Sequence, residues 1–234
     1  MIWLALSVTL SLWWLLTGLA LISAHQRPQI KNLLFGLSTI VAIGCIASVP
    51  YISADPSVVA VLFGFLFALL IWAWLELMFL MGIVTGPHKS LAPQGLGVGQ
   101  KFKRALATMI YHEVVVISVV GLTFFLGGDQ PTNPIIFYVL LVLWFMRCST
   151  KLNLFFGVRH FNHGWLPKSH KHVASYVSVG KNSALMTPSS CLVAIFALLL
   201  FSRAFATDET SVALSLFLLA WVAALAAVEH VFLM

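Results

Sequence analysis

Charge is scarce in this sequence. Its 234 residues carry seven acidic side chains and thirteen Lys and Arg, 9% of the chain in all. That is too little to surround a water-soluble globule of this size. Cysteine is scarce too, and Cys45, Cys148 and Cys191 form no CxxC pair, which argues against a disulfide framework and against a zinc knuckle. Internal repeats, heptads and low-complexity tracts are absent. A chain of seven apolar segments does not divide into two matching halves, which argues against a transporter built on a pair of equal repeats. No polar stretch is long enough to fold as a soluble domain, so nucleic acid is not expected as a partner. The first apolar segment lacks a basic leader and a small-residue cleavage site, and is expected to be a retained helix.

What the sequence has in quantity is apolar side chain, 61% of residues, with a mean hydropathy of +1.01. Runs of about 20 apolar residues occur near 2–24, 32–52, 57–85, 105–126, 134–158, 185–205 and 211–234. The expected fold is all-α: a polytopic membrane protein of seven transmembrane helices forming one membrane domain over residues 1–234. Basic residues fall in or near alternate connections: Arg27 and Lys31; Lys89, Lys101, Lys103 and Arg104; Arg147, Lys151, Arg159, Lys168, Lys171 and Lys181. Only Arg203 lies near the other set of ends, where Asp55, Asp129, Asp208 and Glu209 sit. The positive-inside rule then predicts an external N-terminus and a cytoplasmic C-terminus, with anionic lipid head groups as natural contacts of the basic side. The Gly- and Pro-rich loop from Gly86 to Arg104 reads as a solvated basic face. The segment from Arg159 to Tyr176, with four histidines and Trp165, reads as an interfacial helix.

The residues expected to carry function are the few ionisable groups inside the apolar runs, because a charge at that depth is costly without a partner. Glu76 lies about 15 Å of helical rise from Gly86, and Glu113 about 12 Å from the start of its run. Glu229 and His230 stand near the end of the last run, and His112 adjoins Glu113. All fall in the half of the membrane nearer the basic loops. Three carboxylates at similar depth require protons, cations or a metal, and carboxylates with imidazoles are an ordinary ligand set for iron, manganese or zinc. The expected arrangement therefore gathers Glu76, His112, Glu113, Glu229 and His230 on one or two metal ions, iron among the candidates, with His170 as the loop contributor and His160 and His163 as caps. Arg147, Lys151 and Asn153, within two turns of one another, are the candidate contacts to a bound cofactor. Arg147 and Lys151 share a face at i,i+4; either they snorkel to the head groups or they pair with the carboxylates, and the second is expected. Two other uses of the same residues stay open. One is carboxylates held by cations as structural glue or a proton path, and the other is a histidine serving as axial ligand to a porphyrin or chlorin pigment. The Glu-x-x-His pair of di-iron bundles and the HxxHH boxes of membrane desaturases are both absent.

Several motifs together resemble a known family. They are Trp13-Trp14 with Thr17-Gly18; Trp74, Glu76 and Phe79-Leu80-Met81-Gly82 running to Thr85-Gly86-Pro87; and His112-Glu113. They continue with Arg147, Lys151-Leu152-Asn153-Leu154-Phe155 and Gly157-Val158; Leu166-Pro167 with His170; Ser175-Tyr176; and Glu229-His230 with Phe232. In that order, over nearly the whole chain, they resemble the photosynthetic complex assembly proteins (PuhE type) of purple phototrophic bacteria, encoded near the gene for the reaction-centre H subunit. The chain resembles a divergent member, with Asn162-His163-Gly164-Trp165 where the family tends to carry acidic residues. The resemblance implies residence in the bacterial inner (cytoplasmic or intracytoplasmic) membrane, among lipids and reaction-centre or antenna subunits or pigment-biosynthesis enzymes. It also implies a role in bacteriochlorophyll supply or complex assembly. Two classes of function are compatible with it: a metal-dependent oxidase of a hydrophobic pigment or quinone-like substrate, and a non-catalytic protein that holds pigment, lipid or a subunit.

Overall fold

Apolar side chains in unbroken runs leave the backbone no partner but itself, and in a bilayer the helix is the one open-chain answer. The computed structural model, which describes residues 1–162 and 166–234, is helical throughout its spans. In chain order the helices are α1 (Ile2–Ala24), α2 (Pro28–Ala47), α3 (Val49–Ala54), α4 (Val58–Leu80), α5 (Val98–Ala107), α6 (Ile110–Gly127), α7 (Ile135–Phe156), α8 (Lys171–Ala174), α9 (Met186–Phe205) and α10 (Thr210–Phe232). Seven stretches are long and apolar enough to cross a membrane, with α2 and α3 together forming the second. The only strand-like pairing among the described residues is an isolated bridge between Val158 and Val179.

Local chemistry sets the helix ends. Pro28 opens α2, where its missing N–H costs nothing. Pro50 does the same for α3 and produces the break after Ser48. Ser57 caps α4 by accepting from the backbone N–H of Ala60 at 3.1 Å, and Asp55 accepts from that of Ser57 at 2.8 Å. At its other end α4 stops at Gly82, whose φ of +75° is a left-handed turn that glycine adopts without strain. The span is therefore shorter than the run to residue 85 predicted from sequence.

The centre of the bundle is α4, α7 and α10. Phe65, Ile71 and Leu75 of α4 meet Ile135, Ile136 and Leu140 of α7 and Leu214 and Leu218 of α10 in one buried cluster. A Cβ on Gly64 would stand 2.5 Å from Ile135 Cγ2, so a residue without a side chain is what lets α4 and α7 approach this closely. Around this centre α1, α2, α6 and α9 form the rim, and their outward faces carry residues such as Trp14, Ile40, Phe125 and Leu192 bare for lipid.

Two sequence expectations change at the basic end. The fourth span begins at Ile110 rather than Ala105, because residues 98–107 form the separate helix α5, broken from α6 at Thr108 and Met109. The backbone N–H of His112 turns instead to Thr85 O, at 3.0 Å. The expected interfacial helix after the fifth span is, among the described residues, only a 3-10 turn at Lys168–His170 and the four-residue α8.

Candidate functional site

The ionisable groups inside the spans do come together, and α7 organises them. Its residues Trp144, Arg147 and Lys151 follow an i, i+3, i+7 spacing and so share one face. Each meets a carboxylate. Arg147 Nη2 donates to Glu76 Oε2 at 2.6 Å. Lys151 pairs with Glu113 Oε1, and Trp144 Nε1–H reaches Glu113 Oε2 at 3.4 Å. The Lys151 ammonium also stands 5.7 Å from the centre of the Phe79 ring. Glu113 sits in the first turn of α6, where the exposed N–H groups of the helix favour an anion. The pairing expected of Arg147 and Lys151 is what forms; neither is left to reach for head groups alone.

The histidines are spent on backbone and hydroxyl groups. His112 is buried and donates Nε2–H to Leu75 O of α4 at 2.9 Å. One turn on, His170 donates Nε2–H to Phe79 O at 2.8 Å, and its Nδ1 lies 3.0 Å from Ser169 Oγ. The Phe79 ring is held between the two imidazoles, 5.0 Å from each. The two histidines thus tie α6 and the loop before α8 to the last turns of α4. On α10, buried His230 donates Nδ1–H to Ala226 O at 2.8 Å, while Ser149 of α7 donates its hydroxyl to Nε2 at 2.9 Å. Asn153 joins α7 to α9 by donating to Ser189 Oγ at 2.8 Å.

This arrangement departs from the gathering of carboxylates and imidazoles expected on one or two metal ions. Among the described residues no group of three or more His, Cys, Asp and Glu is placed to hold a metal. The physical reason is that every expected ligand but one already has a partner. Glu76 and Glu113 are neutralised by cations, and both ring nitrogens of His170 and of His230 are engaged. His112 Nδ1 faces only Glu113, at 4.0 Å. Glu229, the exception, lies on the exposed side of α10 with no ion-pair partner among the described residues. Neighbouring residues on a helix point about 100° apart, so burying His230 turns Glu229 outward. As placed, these residues are held by partners other than an ion, and both ring nitrogens of His170 and of His230 are taken, while His112 Nδ1 and Glu76 Oε1 have no hydrogen-bond partner among the described residues. His160 is exposed and its backbone N–H bonds Leu233 O; His163 lies outside the described residues.

Reading the sequence alone marks neither Trp144 nor Ser149 as part of the site, and marks Phe79 only as part of a family motif. The spacing of Trp144 from Arg147 and Lys151 is a signal that finds it, whereas the places of Ser149 and Phe79 depend on how the helices are packed. Outside the spans, burial pushes the imidazoles of His170 and His172 below their usual range, with the charge of Lys89 acting in the same direction. Burial likewise raises the phenol of Tyr176, whose hydroxyl lies 3.0 Å from His88 Nε2.

The family described as protein of unknown function (DUF3623) matches residues 1–234, and the chain belongs to that family. An uncharacterized 30.4 kDa protein in the puhA 5′ region of Rhodobacter capsulatus is 31% identical over 237 residues, covering 99% of this chain and 85% of that protein. No solved structure matches the chain.

Proposed function

We infer that this member of the DUF3623 family is a non-catalytic membrane factor in the building of photosynthetic pigment–protein complexes, one that holds a subunit, lipid or pigment during assembly. The observation that carries the non-catalytic reading is the enclosure of Glu113, whose two oxygens meet Lys151 and Trp144 of α7. An acid awaiting substrate or metal keeps an open coordination or hydrogen-bonding position, and Glu113 has Lys151, Trp144 and His112 around it. The photosynthetic half is supported by the relative whose gene lies in the puhA 5′ region and by the motifs shared with the PuhE-type assembly proteins.

The reading includes a topology. With basic residues concentrated at one set of helix ends, the N-terminus is external and the C-terminus lies in the cytoplasm, in a bacterial inner membrane. Reporter fusions in the loops at Gln94 and Asp208 test this; an external Gln94 inverts it. The function is tested by deleting the gene in a phototroph that carries it and following reaction-centre and core-antenna absorbance together with total pigment. Assembly is expected to fall while pigment synthesis continues, with recovery on complementation. Unchanged complexes, or build-up of an unprocessed pigment precursor, overturn the proposal.

A further inference from the structure

The helix that sequence reading missed has no part in the charge layer. Helix α5, Val98 to Ala107, is strongly amphipathic. At its C-terminal end the carbonyl of Ala107 accepts from the backbone N–H of His88 at 3.1 Å. The same oxygen lies 2.2 Å from where a Cβ on Gly86 would stand, so only glycine allows this close approach. On one side Phe102 packs against Phe155 and Phe156 of α7, at 5.3 and 6.4 Å between ring centres, and Ala105 is buried beside Tyr176. Lys101 reaches Ser178 Oγ at 3.4 Å and lies over the Phe155 ring. The helix is therefore held to the bundle at several points, and what it leaves outward is left by construction.

Outward are both apolar and basic side chains. On a helical wheel Val98, Phe102, Ala105 and Leu106 fall within one arc of about 100°. Phe102 and Ala105 of that arc are covered by the protein, while Val98 is 66% and Leu106 41% exposed. Lys103 lies about 60° beyond Leu106 on the wheel and Arg104 on the opposite, polar face, both exposed and neither in an ion pair among the described residues. Leu91, in the connection leading to α5, is likewise bare.

Depth decides what meets this surface. Helix α6 has 18 residues, a rise of about 27 Å, which is barely enough to cross the hydrocarbon layer of about 30 Å. Its first residue, Ile110, must then lie at the boundary of the acyl chains. Helix α5 ends at Ala107, separated from Ile110 by Thr108 and Met109 alone, and so sits at the level of the head groups. Bare aliphatic side chains on one face and cations on the other, at that level, fit the boundary between acyl chains and phosphates. We propose that α5 is a fixed interfacial helix that binds anionic phospholipid, with Lys103 and Arg104 on the phosphates and Val98 and Leu106 among the upper acyl carbons. Cation-rich charge and bare aliphatic side chains together favour a lipid surface over a folded protein partner, whose docking patch would call for acidic complementarity without the apolar rim.

The test uses the full chain in nanodiscs of phosphatidylcholine, with and without about one-third phosphatidylglycerol. Leu106→Cys, in a background with Cys45, Cys148 and Cys191 replaced by Ser, carries an environment-sensitive fluorophore, and lipid-borne quenchers report its depth. The expected result is a blue-shifted, quenchable probe that lies deeper in the anionic discs, and a preference that fades at high salt. Lys103→Gln and Arg104→Gln should each lower the preference for anionic lipid about fivefold. A probe equally placed in both discs and indifferent to the two substitutions overturns the proposal. So does a probe that stays in water with lipid and is covered only when a partner protein is added. The thermal melt of each variant shows whether the bundle is intact; should either variant fail to fold, the lipid and salt series on the labelled parent decides alone.

Discussion

The two ion pairs that α7 makes are unlike each other. Glu113 has Lys151 on one oxygen and the Trp144 indole near the other, with His112 beside it, and both partners of the salt bridge are well covered. Glu76 meets Arg147 through one nitrogen only, leaving Glu76 Oε1 and Arg147 Nε without hydrogen-bond partners among the described residues, and the Arg147 side chain is 32% exposed. A charge enclosed this way depends wholly on its partner, because no water can replace it. A charge at the edge of the bundle retains alternatives, and Arg147 has a long stem to reach them. The difference teaches that the pair at Glu113 fixes how α6 and α7 sit together, while the pair at Glu76 adjusts how α4 meets α7.

The largest effect is expected at Lys151. Lys151→Met leaves the Glu113 carboxylate buried without a cation, which should cost about 3 kcal/mol of stability, read as loss of folded protein in a denaturant titration in mild detergent. Arg147→Met should cost less, about 1 kcal/mol, since an ion pair whose cation is partly exposed and bound through one nitrogen is worth less. If the two variants prove equally costly, the contrast drawn between the pairs is wrong. The smallest effect concerns pH and lies outside the spans. His170 and His172 bind protons more weakly folded than unfolded. Above the unfolded value of about 6.5 both states are neutral and nothing is lost; below it the unfolded chain gains protons that the folded chain refuses. Stability should therefore decline modestly as pH falls from about 6.5 toward the depressed folded values. The decline should shrink in His172→Asn, and a melting temperature flat across that interval contradicts this account of the loop.

Seven spans were legible from run length alone, since each apolar stretch has no alternative but a helix across the bilayer. The pairing of Arg147 and Lys151 with carboxylates was legible too, from the cost of buried charge and their i,i+4 spacing. The destination of the histidines was not. Each donates to a backbone carbonyl, Leu75 O, Phe79 O or Ala226 O, and every residue offers a carbonyl, so nothing in the sequence marks which one will be used. The outward turn of Glu229 was equally hidden: two adjacent polar residues near a helix end cannot both face inward, and sequence alone does not say which one does. Helix α5 was missed for another reason. Its Gly97-Val98-Gly99 start and its lysines read as loop, and its apolar arc becomes visible only once the break at Thr108 is known.

The account rests on Glu113 being neutralised by Lys151, and a double-mutant cycle on that pair measures it directly. The stabilities of wild type, Lys151→Met, Glu113→Gln and the double variant should show the double variant recovering most of what Lys151→Met loses, a coupling of about 2 kcal/mol or more. Additive losses with no coupling would contradict the claim. They would mean that Glu113 answers to some other partner in the membrane.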